Sequence, residues 1–440
     1  MTTEPTLRPP ADDLAGWMLD DRTKGVPFGT PPFRLGDIAN KGWNVLREDM
    51  PLPLAVLKRS ALDHNLGWMA RFVAAAGAVL APHGKTTMVP AIFREQVARG
   101  AWAITVATVH QMEIARRYGV RRVVIANQIV GRQPIRGVLD ALRDDPGFEV
   151  FALADSVENV AALAAAARAR PVGRPLPLLV EAGYPGGRTG CRDLATALAV
   201  ARAIKAAEPH LALRGVEGFE GLIGGATIEE TAGRVAGFLQ AIVEMAAAAD
   251  AGGLFADGPI ILSAGGSAFY DLVVDRFRKA GLKRDVVTIS RSGCYVTHDS
   301  LMYRDFFAAL RRRSPSVDAL GDGLRPAMEV WAYVQSRPEA EKAILALGRR
   351  DIGTDAGNPV PLVWHRPGTN AAPEPVPDGH VVTGFNDQHC HMTVPASSPL
   401  AVGDMVALGV SHPCTTFDKW QLLTVVDDAY DVVGGYRTFF

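Results

Sequence analysis

The chain has 440 residues, 48% of them apolar and 21% charged, with a formal net charge of −1. That length exceeds one ordinary hydrophobic core, so about two domains are expected, and the charge balance gives neither nucleic acid nor an anionic membrane as a partner. Four cysteines do not make a disulfide framework in so long a chain, and the acidic, proline-bearing N-terminus is not built like a secretion signal, so a cytoplasmic setting is expected.

In chain order, residues 1–53 form an N-terminal segment expected to join, in part, the β domain described below. From residue 54 to 290, short β-type runs alternate with helical patterns. The runs are GAVLA (77–81), WAITVA (102–107), RVVIAN (122–127), FEVFALA (148–154), PLLVEAG (177–183), LRGVEGFEG (213–221), PIILSAG (259–265) and DVVTIS (285–290). Between them, Asp155 with Glu158 reads as a cap before Val157, Val160 and Leu163, while Val235, Phe238, Leu239 and Ile242 share one helical face. Strands alternating with helices pair in parallel, and about eight of them close a (β/α)8 barrel; an open doubly wound sheet is the competing arrangement. From residue 291 to 440 strand-like pieces dominate, such as AMEVWAYVQSR, VVTGFNDQHCHMTV and DMVALGVSH. The expected fold is α/β: a TIM-type (β/α)8 barrel over 54–290 with a C-terminal β domain.

The reactive face of such a barrel lies at the C-terminal ends of its strands. The first run ends in LAPHGKTTM, which places Lys85 at that rim beside His83 and Gly84. An isolated lysine there is usually a solvated charge. The seventh run ends in SAGGSAF, Ser263 to Phe269, and opens a helix. Glycines allow close backbone approach to an anion, and helix N-terminal amides point at it, although most Gly-Gly-Ser triplets are plain turns. A lysine and a phosphate site on one rim suggest pyridoxal phosphate (PLP).

Five segments in this order, PHGKT, EAGYPGGRTG, SAGGS, SRSGCYVTHD and SHPCTTFDKW, resemble the alanine-racemase-like PLP family. Within it they are similar to the metal-dependent branch of D-serine dehydratases and D-threonine aldolases. The resemblance covers nearly the whole chain from about residue 30. It implies a PLP barrel with a C-terminal β domain and a homodimer with active sites near the subunit interface. It also implies that Lys85 is the Schiff-base lysine, that Gly265, Gly266 and Ser267 cradle the phosphate, and that Arg188 lies near the phenolic oxygen of the cofactor. Arg291 and Tyr295 match an RxGxY stretch, with Tyr295 expected near phosphate or substrate. A buried structural tyrosine is the alternative. The pyridine nitrogen is left without an assigned partner, Glu220 being available in GFEGLIG.

Near the C-terminus stands His412-Pro413-Cys414. On an extended strand, residues two apart share a face, and imidazole plus thiolate suits Zn²⁺, although such a pair is more often core filler. In the resemblance it falls on the two metal ligands. Two ligands leave an open, catalytic site, compatible also with Mn²⁺ or Mg²⁺. In FNDQHCHM, His389 and His391 are again two apart, and His389 is taken as an acid or base. The implied reaction is loss of water from a β-hydroxy D-amino acid such as D-serine or D-threonine, giving a keto acid and ammonia. Retro-aldol cleavage of D-threonine is the alternative within the family, and Cys414 favours elimination because the aldolases of this branch use His and Asp. A non-catalytic PLP-binding protein and a PLP-independent metalloenzyme are the readings from other classes.

Overall fold

The computed structural model describes residues 7, 9–10, 13–369 and 372–440. All eight runs form parallel strands: β1 Val79–Leu80, β2 Ile104–Val106, β3 Arg122–Gln128, β4 Glu149–Ala154, β5 Leu176–Ala182, β6 Leu211–Gly218, β7 Ile260–Ala264 and β8 Val286–Ser290. They pair in sequence from β2 to β8, and β8 then pairs with β1. The ring closes through a parallel His83–Thr105 bridge, with Trp102 N donating to Leu80 O at 2.7 Å and Thr105 N to Pro82 O at 2.9 Å. Closure leaves no free edge, which decides for the barrel over the open sheet.

Side chains alternate across each strand, so one face fills the barrel and the other meets the helices. Val124, Phe151, Leu179, Ile261 and Ile289 pack with Ala81 and Trp102 as the inner plug. Their neighbours Ile125, Val150, Leu178, Ile260 and Leu262 pack outward against the helical layer. Two residues beyond Leu179, Ile261 and Ile289 the inward positions become polar, Glu181, Ser263 and Arg291, and β6 adds Glu217 in register with Glu181 and Ser263; all four are buried. This layer is the floor of the rim.

The helix Val157–Ala169 is capped by Ser156, whose hydroxyl accepts from Asn159 N at 3.3 Å. Asp155, expected as the cap, instead accepts from Gly190 N at 2.9 Å and ties down the loop after β5. Val235, Phe238, Leu239 and Ile242 share the buried face of the helix Ile228–Ala251. That helix has the length and hydropathy to cross a membrane, but its apolar stripe is part of the layer around the barrel.

The second unit is antiparallel: β9 Met328–Glu339, β10 Lys342–Leu345, β11 Val360–His365, β12 Val381–Phe385, β13 Cys390–Thr393, β14 Met405–Gly409, β15 Leu422–Val426 and β16 Val432–Arg437. Two expected boundaries move. The run Leu54–Lys58, assigned above to the barrel, lies between β9 and β15 of this sheet, antiparallel to the first and parallel to the second. An apolar run buried on both faces reads alike in either sheet, so only pairing separates them. After residue 291, where helices were expected to end, a further helix Met302–Arg313 follows β8 and puts Phe306 against the barrel layer and Leu310 against the β-domain core.

Candidate active site

Lys85 sits on a short 3-10 turn, Gly84–Thr86, just beyond β1. It opens into a cavity of about 150 Å³ that it shares with His83, Gly266, Ser267, Arg291, Cys294, Tyr303, His412 and Cys414. The barrel rim and the β domain therefore each supply a wall. Protein packed around the ammonium lowers the Lys85 pKa by desolvation; Arg188 and Arg291 push the same way, against the cysteines Cys414 and Cys294. His83 is driven well below its usual range, first by burial and then by Lys85, so it is a neutral ring. Its Nδ1 is buried and has no hydrogen-bond partner.

The floor is set by Arg291, the inward residue just past β8. Its Nε donates to Ser263 Oγ at 3.1 Å, and one terminal nitrogen donates to Gly218 O at 2.8 Å and to the Glu217 carboxylate. Burial pushes Glu217 up to about 8 despite that guanidinium.

The glycines have a different use from the one expected. Gly265 N and Gly266 N donate to the two oxygens of Glu220, at 3.0 and 2.6 Å, and Glu220 is wholly buried. Gly265 takes φ +148°, where a Cβ would stand 2.6 Å from Arg291 N, so glycine is required by packing against the strand beside it. The groups on this loop that can still meet an anion are the hydroxyl of Ser267, which lines the cavity and accepts from Cys294 N at 3.2 Å, and the N-terminus of the helix Tyr270–Arg278, which has no side-chain cap.

Arg188 lies exposed on the loop after β5, its guanidinium 4.3 Å from the Phe219 ring at the cavity wall. Tyr295 is not brought to the cavity. It is 2% exposed within the β-domain core, and Gln96 Nε2 donates to its hydroxyl at 3.3 Å. The turn Cys294–Val296 aims successive side chains in different directions, so Cys294 faces the cavity and its neighbour faces the core. His389 is also elsewhere: it is exposed on the turn between β12 and β13 and lines no part of the cavity. His391 bonds Asn386 Oδ1 at 2.7 Å.

His412 and Cys414 do converge, by a route other than an extended strand. Pro413 caps a short helix, Cys414–Phe417, and the turn carries both side chains to one point. There Cys294 joins them, and the three donor atoms all lie within 4.8 Å of one another. Cys294 was passed over in the sequence, where it lies inside SRSGCY without a spacing that marks a ligand. Asp355 had no signal at all; it holds His412 Nδ1 at 2.6 Å and accepts from Thr415 Oγ1. Burial works against a protonated His412, but Cys294 and then Asp355 outweigh it and hold its pKa at about 9.

Residues 57–268 match the family described as alanine racemase, N-terminal domain, and residues 327–426 match the family described as putative serine dehydratase domain. No curated protein matches. Among solved structures, D-threonine aldolase from Filomicrobium marinum is 21% identical, covering 90% of this chain and 97% of that one, with a TM-score of 0.73. D-threo-3-hydroxyaspartate dehydratase from Delftia sp. HT23 is 20% identical, covering 90% and 99%, with a TM-score of 0.67.

PLP is the cofactor expected of the alanine-racemase-like fold. The residues here fit it: an amine with a lowered pKa, an uncapped helix N-terminus with Ser267 beside it, and an orphaned imidazole nitrogen line one cavity. The two matches, in this order in one chain, identify an alanine racemase N-terminal domain followed by a D-serine-dehydratase-like domain, carried on the fold shared with these solved structures.

Proposed function

We propose that this enzyme is a PLP- and metal-dependent dehydratase of β-hydroxy D-amino acids, releasing a keto acid and ammonia, and that it works as a homodimer. One observation carries the reading: a single cavity joins the amine of Lys85 to the imidazole and thiols of His412, Cys414 and Cys294. The reaction needs a base at the α carbon and help for a departing hydroxyl at the next carbon, and those two needs match the two walls.

Lys85 and the phosphate-facing groups, Ser267 and the helix start behind it, would hold the cofactor, which when bound supplies an electron sink at the α carbon. A metal held by His412 and Cys414 would supply a Lewis acid for the β oxygen. The chain itself does the rest. The lowered pKa of Lys85, set first by its burial, leaves a larger share of its amine neutral and able to accept the α proton than an exposed lysine would have. Arg291, locked by Glu217, Ser263 and Gly218, keeps a fixed positive charge under the reacting centre. Asp355 orients His412 so that the other ring nitrogen faces the thiols.

D-Serine, D-threonine and D-threo-3-hydroxyaspartate, assayed for ammonia and keto acid, test the reaction. The expected activity falls with EDTA and returns with Zn²⁺. Lys85→Ala is expected to lose about 10³-fold or more in turnover and to lose the visible cofactor band that borohydride removes. A retained, borohydride-sensitive band in that variant would sink the assignment of Lys85. The likeness to a D-threonine aldolase favours one second reading, retro-aldol cleavage. Glycine and acetaldehyde from D-threonine, without ammonia, would establish it.

A further inference from the structure

The donor group beside Lys85 has one member more than the reaction above uses. We propose that Cys294 is a third protein ligand, so that the site is a Cys294–His412–Cys414 triad with one tetrahedral position left for the substrate. The proposal rests on the reading of His412 and Cys414 as metal ligands and extends it.

The spacing is that of a metal site. Two thiolates about 2.3 Å from one zinc at a tetrahedral angle lie about 3.8 Å apart; the Cys294 and Cys414 sulfurs are 3.6 Å apart. His412 adds a nitrogen donor within the same 4.8 Å span, and its Nδ1 is held by Asp355 at 2.6 Å. A carboxylate behind an imidazole is the arrangement that fixes the ring of a metal-bound histidine. Thr86 stands behind the sulfurs, its hydroxyl 3.5 Å from Cys414 Sγ and 3.9 Å from Cys294 Sγ.

Cys294 is also held where a ligand must be. Its backbone N donates to Ser267 Oγ at 3.2 Å, which links it to the phosphate-facing loop. Gly293 before it lies so close to the Lys85 turn that a Cβ would stand 2.6 Å from His83 O. The residue preceding the third ligand must therefore be small for the turn after β8 to reach the cavity.

Two consequences follow. A site of two thiolates and one imidazole selects zinc over magnesium or manganese, which prefer oxygen donors. Cys294 comes from the turn after the last barrel strand, while His412 and Cys414 come from the β domain, so the ion bridges both units and resists their separation.

The test is X-ray absorption at the zinc edge, with metal content, on the purified enzyme kept reduced. Two sulfur scatterers per zinc are expected in the wild type, falling to one in Cys294→Ser and in Cys294→Ala, with zinc retention against a chelator weakened about tenfold or more. One sulfur per zinc in the wild type, unchanged in both Cys294 variants and lost in Cys414→Ala, overturns the third ligand and leaves the His412–Cys414 reading intact. A wild type without zinc, or zinc indifferent to Cys414→Ala, removes that reading and this one together. The wild-type spectrum decides without any variant having to fold.

Discussion

The two walls of the cavity are built by opposite strategies. The rim wall is made by one repeating unit: the barrel strands deliver an apolar plug and, above it, the polar layer of Glu181, Glu217, Ser263 and Arg291. The facing wall is made by strangers in sequence that are neighbours in space: Cys294 after β8, Asp355 between β10 and β11, and His412 and Cys414 after β14. A repeat fixes position through packing shared by the whole barrel, whereas the convergent wall depends on two units docking and on the bonds that join them.

Breaking the polar layer should therefore cost global stability. Arg291→Ala leaves Glu217 in a site that burial already makes hostile to charge. The expected loss is about 3 kcal/mol or more, within the range for removing one partner of a buried pair. Chemical denaturation measures it. Glu217→Gln keeps the shape and an acceptor, so its loss should be much smaller. Equal losses in the two variants would show that the barrel does not depend on that charge.

Disturbing the convergent wall should cost ligand affinity and leave the barrel standing. Asp355→Asn removes the carboxylate behind His412, and zinc binding should weaken about 10- to 100-fold, read by competition with a chelator. Unfolding of the metal-free protein should change little, since Asp355 is partly exposed. A large stability loss without a change in zinc affinity would turn Asp355 into a structural residue.

His298 is buried in the turn that follows Cys294, with φ +49° and its ring edge-on to Phe307. Burial lowers its pKa from 6.5 to about 4. Between those values the unfolded chain binds the proton and the native chain does not, so stability rises with pH there. It is fully present above 6.5 and drains away as pH falls through the window. The single group accounts for about 2 kcal/mol between pH 6.5 and 5. His298→Asn, which tolerates positive φ, should flatten that acid limb relative to the wild type in melts at several pH values. Parallel limbs would mean that the imidazole is not held neutral.

The same contrast explains what could be read from the sequence. Short apolar runs alternating with helical patterns are a repeated signal, so all eight barrel strands, Lys85 and the helix opened by SAGGSAF were legible. Leu54–Lys58 was misassigned because an apolar strand carries no mark of its sheet, and Met302–Arg313 was missed because MYRDFFAALRRR has only a narrow apolar face. His412 and Cys414 were legible as a pair. Cys294 and Asp355 were not, because proximity across 57 residues or more leaves no local pattern. The glycines of SAGGS were located correctly, yet their amides serve Glu220, a buried partner from another loop.

Tyr295 gives the smallest effect and the sharpest division between the walls. It is adjacent to Cys294 in the chain, yet its ring lies in the β-domain core, where the hydroxyl accepts from Gln96 and burial pushes its pKa upward. Tyr295→Phe removes one long hydrogen bond and keeps the ring, so the cost should be about 1 kcal/mol. Cofactor affinity, followed by the visible band during titration with PLP, should not change, because the lost hydroxyl borders none of the cavity. A weakened affinity with unchanged stability would move Tyr295 from the core to the rim, and the turn Cys294–Val296 would then have to serve both walls at once.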